Sequence, residues 1–149
     1  MNSLPILMVE DNAQDEMLTL RSLKKAHVAN AVEVVRDGRQ ALDYLFKEGE
    51  FADRPGPALP ALVLLDLGLP RLGGLDVLQR IRADARTRSL PVVIFTSSSE
   101  EEDRLSSALL GANSFVRKPV DFNEFAEQVA RLGIYWLAVN EPAPCGRQG

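Results

Sequence analysis

Cysteine is nearly absent: Cys145 stands alone, in a Pro- and Gly-rich stretch near the C-terminus. An intrachain disulfide is excluded, and a reducing cytoplasm is the expected location. Long apolar runs are missing as well. None reaches the ~18 residues of a membrane span, and the start MNSLPILMVEDN has neither a basic n-region nor a cleavage site, so no membrane association is expected. Positive charge is not in surplus: 17 Lys and Arg stand against 21 Asp and Glu, a net charge of −4. No basic stripe is left over for nucleic acid. Neither GxxxxGK[ST] nor GxGxxG occurs, which excludes the phosphate-loop and dinucleotide-binding classes. The single histidine, His27, has no cysteine or second histidine near it and reads as a helix-end residue, not a metal ligand.

What is present is a series of short apolar runs, each ending in polar residues. Leu62 to Leu65, within LVLLDLGLP, has the continuous apolar pattern of a strand buried on both faces of a parallel sheet. Asp66, Gly68 and Pro70 end it in a turn. Ile6 to Val9 repeats the pattern and is followed by Glu10, Asp11 and Asn12. Ala31 to Val35, Val92 to Phe95 and Ser114 to Val116 complete the set, the last two leading into Thr96, Ser97 and Ser98 and into Lys118-Pro119. Between the runs, apolar residues return at helical spacing: Met17, Leu20 and Leu23; Ala41, Leu42, Leu45 and Phe46, in a helix expected to end at Gly49; Leu75, Leu78 and Ile81. Leu105, Ala108, Leu109 and Ala112 give a fourth helix, and Phe122, Phe125, Val129, Leu132 and Trp136 a fifth. Met8 and Met17 are expected to be core filler. Glu50 to Pro60, with three prolines and a glycine, is expected to be a surface loop without helix or inner strand.

Five strands alternating with five helices predict an α/β fold, a flavodoxin-like (βα)5 doubly wound parallel sheet of strand order 2-1-3-4-5. The 149 residues show no internal repeat or linker, so residues 1–140 are expected to form one domain and residues 141–149 a disordered tail.

In that order four neighbouring strands, ~4.8 Å apart, deliver Glu10 and Asp11, Asp66, Thr96 and Lys118 to one edge, where ligands of open α/β sheets bind. Carboxylates crowded there repel one another, and a divalent cation relieves the repulsion. Hard oxygen ligands favour Mg²⁺. The set suits phosphoryl transfer: Asp66 as nucleophile, Asp11 and Asp66 on the metal directly, Glu10 through water, the Gly68 backbone carbonyl at a further position, and Lys118 and Thr96 on the phosphoryl oxygens.

These residues resemble the receiver domain of bacterial two-component response regulators: the acidic pair Glu10-Asp11, the acceptor in LLDLGLP, the Thr96 hydroxyl, Lys118-Pro119, and Gly74 eight residues past the acceptor. The resemblance spans roughly Leu4 to Leu137. It implies a histidine kinase as phosphoryl donor and a cis bond before Pro119. It also implies that Thr96 moves towards the phosphoryl group while Phe115 turns inward behind it, with the small Ser97 leaving room. The loop EFADRPG and the end IYWL are similar to single-domain regulators paired with phytochrome-type histidine kinases, so a stand-alone receiver without an effector domain is expected. The implied partners are such a kinase, met by Met17, Leu18 and Arg21, and a second copy of the chain. A homodimer through Ile134, Tyr135, Trp136 and Leu137 is expected, because these are apolar nearly all round.

Blander roles compete at single positions. Glu10 suits a helix cap, Phe115 plain core, and Trp136 core as well as interface. Two other functions compete for the whole. An aspartyl-phosphate-type phosphatase, by resemblance, needs a second Asp two residues past the first, where Gly68 stands, so the chain is not expected to be an enzyme. A phosphorylation-independent interaction scaffold would have no use for the acidic pair, acceptor and lysine together.

Overall fold

In the computed structural model, residues 4–25, 28–56, 59–69, 72–96 and 114–118 are described, together with 121, 123, 124 and 127. Five strands, β1 (Ile6–Val9), β2 (Val32–Val35), β3 (Leu62–Asp66), β4 (Val92–Thr96) and β5 (Ser114–Arg117), form one sheet of order 2-1-3-4-5, and every pairing is parallel. The expected flavodoxin-like topology is the observed one. β1, β3 and β4 are buried throughout because the sheet is covered on both sides.

Alternation along the strands divides the core in two. Leu7, Val9, Val63, Leu65, Val92 and Ile94 pack with α2 (Gly38–Phe46) and α3 (Gly74–Ala83). Ile6, Met8, Leu62, Leu64, Val93, Phe95 and Val116 form the other face, with Leu23 of α1 (Ala13–Lys25) against it. Full burial of each such side chain contributes about 1.5–3 kcal/mol. β2 is an edge strand, so only Val35 of its four residues is buried and Glu33 faces solvent.

Two helix starts follow from single residues. Asp37 caps α2, its Oδ1 accepting from the Gln40 N–H at 2.9 Å. Gly74 opens α3 where a Cβ would lie 2.6 Å from the Asp66 carbonyl oxygen and 2.7 Å from the Leu67 Cα, so the chain leaving β3 and the helix that follows touch only because that side chain is missing. Further along, the Asp121 Oδ1 accepts from the Glu124 N–H at 2.9 Å.

The structure departs from the sequence reading in three places. α1 presents Thr19, Ser22 and Leu23 to the core, whereas Met17 is 54% exposed and Leu20 36% exposed. Met17 is therefore not core filler. Thr19 is buried at no hydrogen-bonding loss because its hydroxyl donates to the Asp15 carbonyl at 2.9 Å. α2 ends at Lys47, in the left-handed region at φ 51°, and not at Gly49. Gly49 instead begins a 3₁₀ turn, Gly49–Phe51, so the stretch from Glu50 to Pro60 is not free of helix as expected: its first two residues complete that turn. The loop after it is pinned to α2: the Arg54 guanidinium stacks 3.8 Å above the Tyr44 ring and donates to the Tyr44 carbonyl at 2.8 Å.

Among the described residues no helix is long and apolar enough to cross a membrane. The expected fourth helix, most of the fifth, Ser97, Pro119, Ile134, Tyr135, Trp136, Leu137 and the 141–149 tail lie outside the described residues.

Candidate functional site

Strand register brings the site residues to one edge. Val9 pairs with Leu65, so Glu10 and Asp66, each one residue further along its chain, stand side by side at the edge of the sheet. Asp66 pairs with Phe95, and Thr96 follows at the end of β4. Thr96 pairs with Arg117, and its carbonyl accepts the Lys118 N–H at 2.7 Å. Lys118 is thus held at the mouth of β5 before its side chain makes any contact.

Oxygens from Glu10, Asp11 and Asp66, one from each, lie within 4.8 Å of one another. Glu10 and Asp66 are buried and Asp11 is exposed, so the cluster reaches solvent through Asp11. Backbone N–H groups orient two of them: Asn12 donates to Glu10 Oε2 at 3.2 Å and Gly68 to Asp66 Oδ1 at 3.1 Å. The Lys118 ammonium reaches Glu10 Oε1 at 3.0 Å, Asp15 Oδ2 at 2.9 Å and Asp66 Oδ2 at 3.2 Å. Arg36, just past β2, donates to the Glu10 carbonyl at 3.4 Å and pairs with Glu16 of α1, tying the edge strand to the same corner.

Charge at this corner is unbalanced. Burial, and then the neighbouring Asp66 carboxylate, push the Glu10 carboxyl up to about 7, although Lys118 acts in the opposite direction. Burial alone would lower the Lys118 ammonium, but the hydrogen bond to Asp15 and the charges of Asp66 and Glu10 outweigh it and raise its pKa above that of an ordinary lysine. The Lys118 ammonium therefore stays charged at neutral pH, and one positive charge does not neutralise the carboxyl groups of Glu10, Asp11, Asp15 and Asp66. Hard oxygen donors at this spacing could hold a divalent cation.

The structure brings together Glu10, Asp11, Asp66 and Lys118, with Thr96 at the adjoining strand end and exposed Gly68 in the turn beyond β3. Phe115 pairs with Ile94 through the backbone, and its side chain lies outside the described residues, as do Ser97 and the Lys118–Pro119 bond. Sequence reasoning missed Asp15. One signal was available: an acid in the first turn of a helix that begins where β1 releases its acids must sit close to them.

Residues 6–130 match the response regulator receiver domain. The chain belongs to that family. This receiver domain is similar to the bacteriophytochrome response regulator RtBRR, with 51% identity and a TM-score of 0.85, over 97% of this chain and 86% of that one. It is also similar to the bacteriophytochrome response regulator AtBRR, with 50% identity and a TM-score of 0.84, over 95% of this chain and 100% of that one. Response regulator Rcp1 of Synechocystis sp. is 33% identical over 132 residues, 89% of this chain and 88% of Rcp1. The crystal structure of the Mn²⁺-bound form of Rcp1 superposes with a TM-score of 0.72, at 33% identity over 94% of this chain and 99% of that one.

Proposed function

We propose that this receiver domain is a Mg²⁺-dependent phosphoryl acceptor in a two-component phosphorelay, with Asp66 as the acceptor and a phytochrome-type histidine kinase as the donor. The observation that carries the reading is the convergence on Asp66: an ammonium 3.2 Å from its Oδ2, and two further carboxyl groups whose oxygens lie within 4.8 Å. The bacteriophytochrome regulators among its neighbours support the choice of kinase.

A divalent cation fits these residues. The donors are all oxygen, and a buried Glu10 carboxyl with its pKa raised beside Asp66 is a site short of positive charge. The Mn²⁺-bound form of Rcp1 adds support. Asp11 and Asp66 would hold Mg²⁺ directly, Glu10 through water, and the Gly68 carbonyl at a further position. When bound, Mg²⁺ supplies positive charge opposite the incoming phosphoryl oxygens.

The protein's own groups do the rest. A carboxylate oxygen of Asp66 forms a bond to phosphorus while the P–N bond of the donor phosphohistidine breaks. The bonding pair stays on the imidazole nitrogen, which takes up a proton. Lys118 and the Thr96 hydroxyl bind phosphoryl oxygens, and Ser97 leaves them room. Thr96 and Phe115 then shift the face built from the fourth helix, β5 and the fifth helix. In this reading residues 1–140 are one cytoplasmic receiver domain that dimerises through Ile134, Tyr135, Trp136 and Leu137. It takes one phosphoryl group onto itself and turns over no outside substrate.

Intact-mass measurement after treatment with phosphoramidate and Mg²⁺ tests the assignment. Wild type gains one phosphoryl group that is lost in alkaline hydroxylamine, and Asp66→Asn gains none. An Asp66→Asn protein modified as fully as wild type would refute it.

A further inference from the structure

Lys118 has three ammonium hydrogens and three carboxyl partners, Glu10, Asp15 and Asp66. Two of these partners belong to the oxygen cluster that could hold a metal, and Asp15 does not. The distinction matters once the site is loaded. A divalent cation drawn to Glu10 and Asp66 competes with the ammonium for their charge, and a phosphoryl group on Asp66 takes that carboxylate away altogether. Among the described partners of Lys118, Asp15 alone keeps its full charge through both events.

Asp15 is also placed to act as a fixed point. Its N–H donates to the Asn12 Oδ1 at 2.9 Å and its carbonyl accepts from the buried Thr19 hydroxyl at 2.9 Å, so the first turn of α1 sets where its side chain starts. Lys118 is anchored at its own backbone by Thr96. The four-carbon stem between that anchor and the ammonium has several rotamers open to it when Glu10 and Asp66 are engaged elsewhere. The contact from α1, 103 residues away in sequence, is the one that can then keep the ammonium pointed at Asp66.

We propose that Asp15 is a positioning residue: its carboxylate holds the Lys118 ammonium over Asp66 before and after the phosphoryl group arrives. Asp66 as phosphoacceptor is the reading on which this rests. With Asp15 in place, Lys118 meets the incoming oxygens already oriented. Without it, the ammonium collapses onto Glu10 and Asp66 in the metal-free site and is released when those carboxylates are engaged.

The test compares wild type, Asp15→Asn and Asp15→Glu, each corrected for its folded fraction from urea denaturation. The rate constant for phosphorylation by phosphoramidate, at saturating Mg²⁺ and donor, is expected to fall about tenfold in Asp15→Asn, the loss of one charge-assisted hydrogen bond. Asp15→Glu, which keeps the charge on a longer stem, recovers part of it. A purely structural ion pair between α1 and β5 would change the urea midpoint and leave that rate constant alone, and this result would overturn the proposal. A crystal structure of wild type with Mg²⁺ and beryllofluoride gives a second measurement that needs no variant. The Lys118 Nζ is expected to remain within hydrogen-bonding distance of Asp15, and its departure from Asp15 would also overturn the proposal. If wild type takes up no phosphoryl group, or Asp66→Asn takes up as much, the acceptor reading itself fails and this one falls with it.

Discussion

Raising the pH of the metal-free protein should weaken it, and Glu10 is the reason. Its carboxyl is almost fully buried beside Asp66, and its pKa is pushed from 4.5 up to about 7. In the unfolded chain it ionises near its ordinary value, so between the two values the folded state binds a proton that the unfolded state has lost. The folded pKa is the higher one. The contribution to stability is therefore complete below about pH 4.5 and is lost as pH rises through about 7. At roughly 1.4 kcal/mol per pH unit, the window is worth about 3 kcal/mol. Mg²⁺ should reverse the trend, because it favours the ionised carboxyl. Binding at pH 6 then releases close to one proton, and binding at pH 8 releases almost none. Urea denaturation in chelator from pH 4.5 to 8, with calorimetric Mg²⁺ titrations in two buffers of different ionisation heat, measures both. Glu10→Gln, which mimics the protonated form, should lack the Glu10 share of the descent and be more stable than wild type at pH 8 without metal. A Glu10→Gln protein with the same slope as wild type would refute the argument.

Truncating Lys118 to Ala leaves Glu10 and Asp66 facing each other without their shared cation, and should destabilise the metal-free protein by about 3 kcal/mol. The same change removes a competitor for those carboxylates, so the Mg²⁺ dissociation constant should fall, and an unchanged or weaker constant by calorimetry would contradict this. Gly74→Ala places a methyl group 2.6 Å from the Asp66 carbonyl oxygen. Overpacking against backbone should lower stability by about 1–3 kcal/mol and slow phosphorylation of Asp66 as well, so a loss in the urea midpoint with no loss in rate would argue against that coupling. The rotated phase of α1 is tested by a pair of truncations. Met17→Ala should change stability by less than about 0.5 kcal/mol, and Leu23→Ala should lower it by about 2–5 kcal/mol.

Much of the fold was legible in the chain because its strands are nearly pure local signal. Ile6 to Val9 and Leu62 to Leu65 are unbroken apolar runs, which only a strand covered on both faces can bury, and both cores now lie against them. Strand order followed from handedness, and once the order was known the acids after β1 and β3 had to meet. The phase of α1 was not legible. Hydrophobic periodicity favoured Met17 and Leu20, and it does not register that Thr19, whose hydroxyl bonds back to its own helix, and Ser22 are the residues buried instead. The 3₁₀ turn at Gly49 and the left-handed Lys47 were hidden for a similar reason: a glycine nearby drew the helix end two residues too far.

The site divides along the same line. Residue type and position after a strand singled out Glu10, Asp11, Asp66, Thr96 and Lys118, since each depends on one strand end and the order of the strands. Its place in the first turn of α1 hinted at Asp15, but its contact with Lys118 was decided only in three dimensions. Its meeting with Lys118 joins segments 103 residues apart, through the height of a helix turn above the sheet edge and the rotamer of a lysine. The raised pKa of Glu10 was likewise a property of packing: a carboxyl beside a strand end is solvated or desolvated according to what closes over it, and no sequence pattern specifies that.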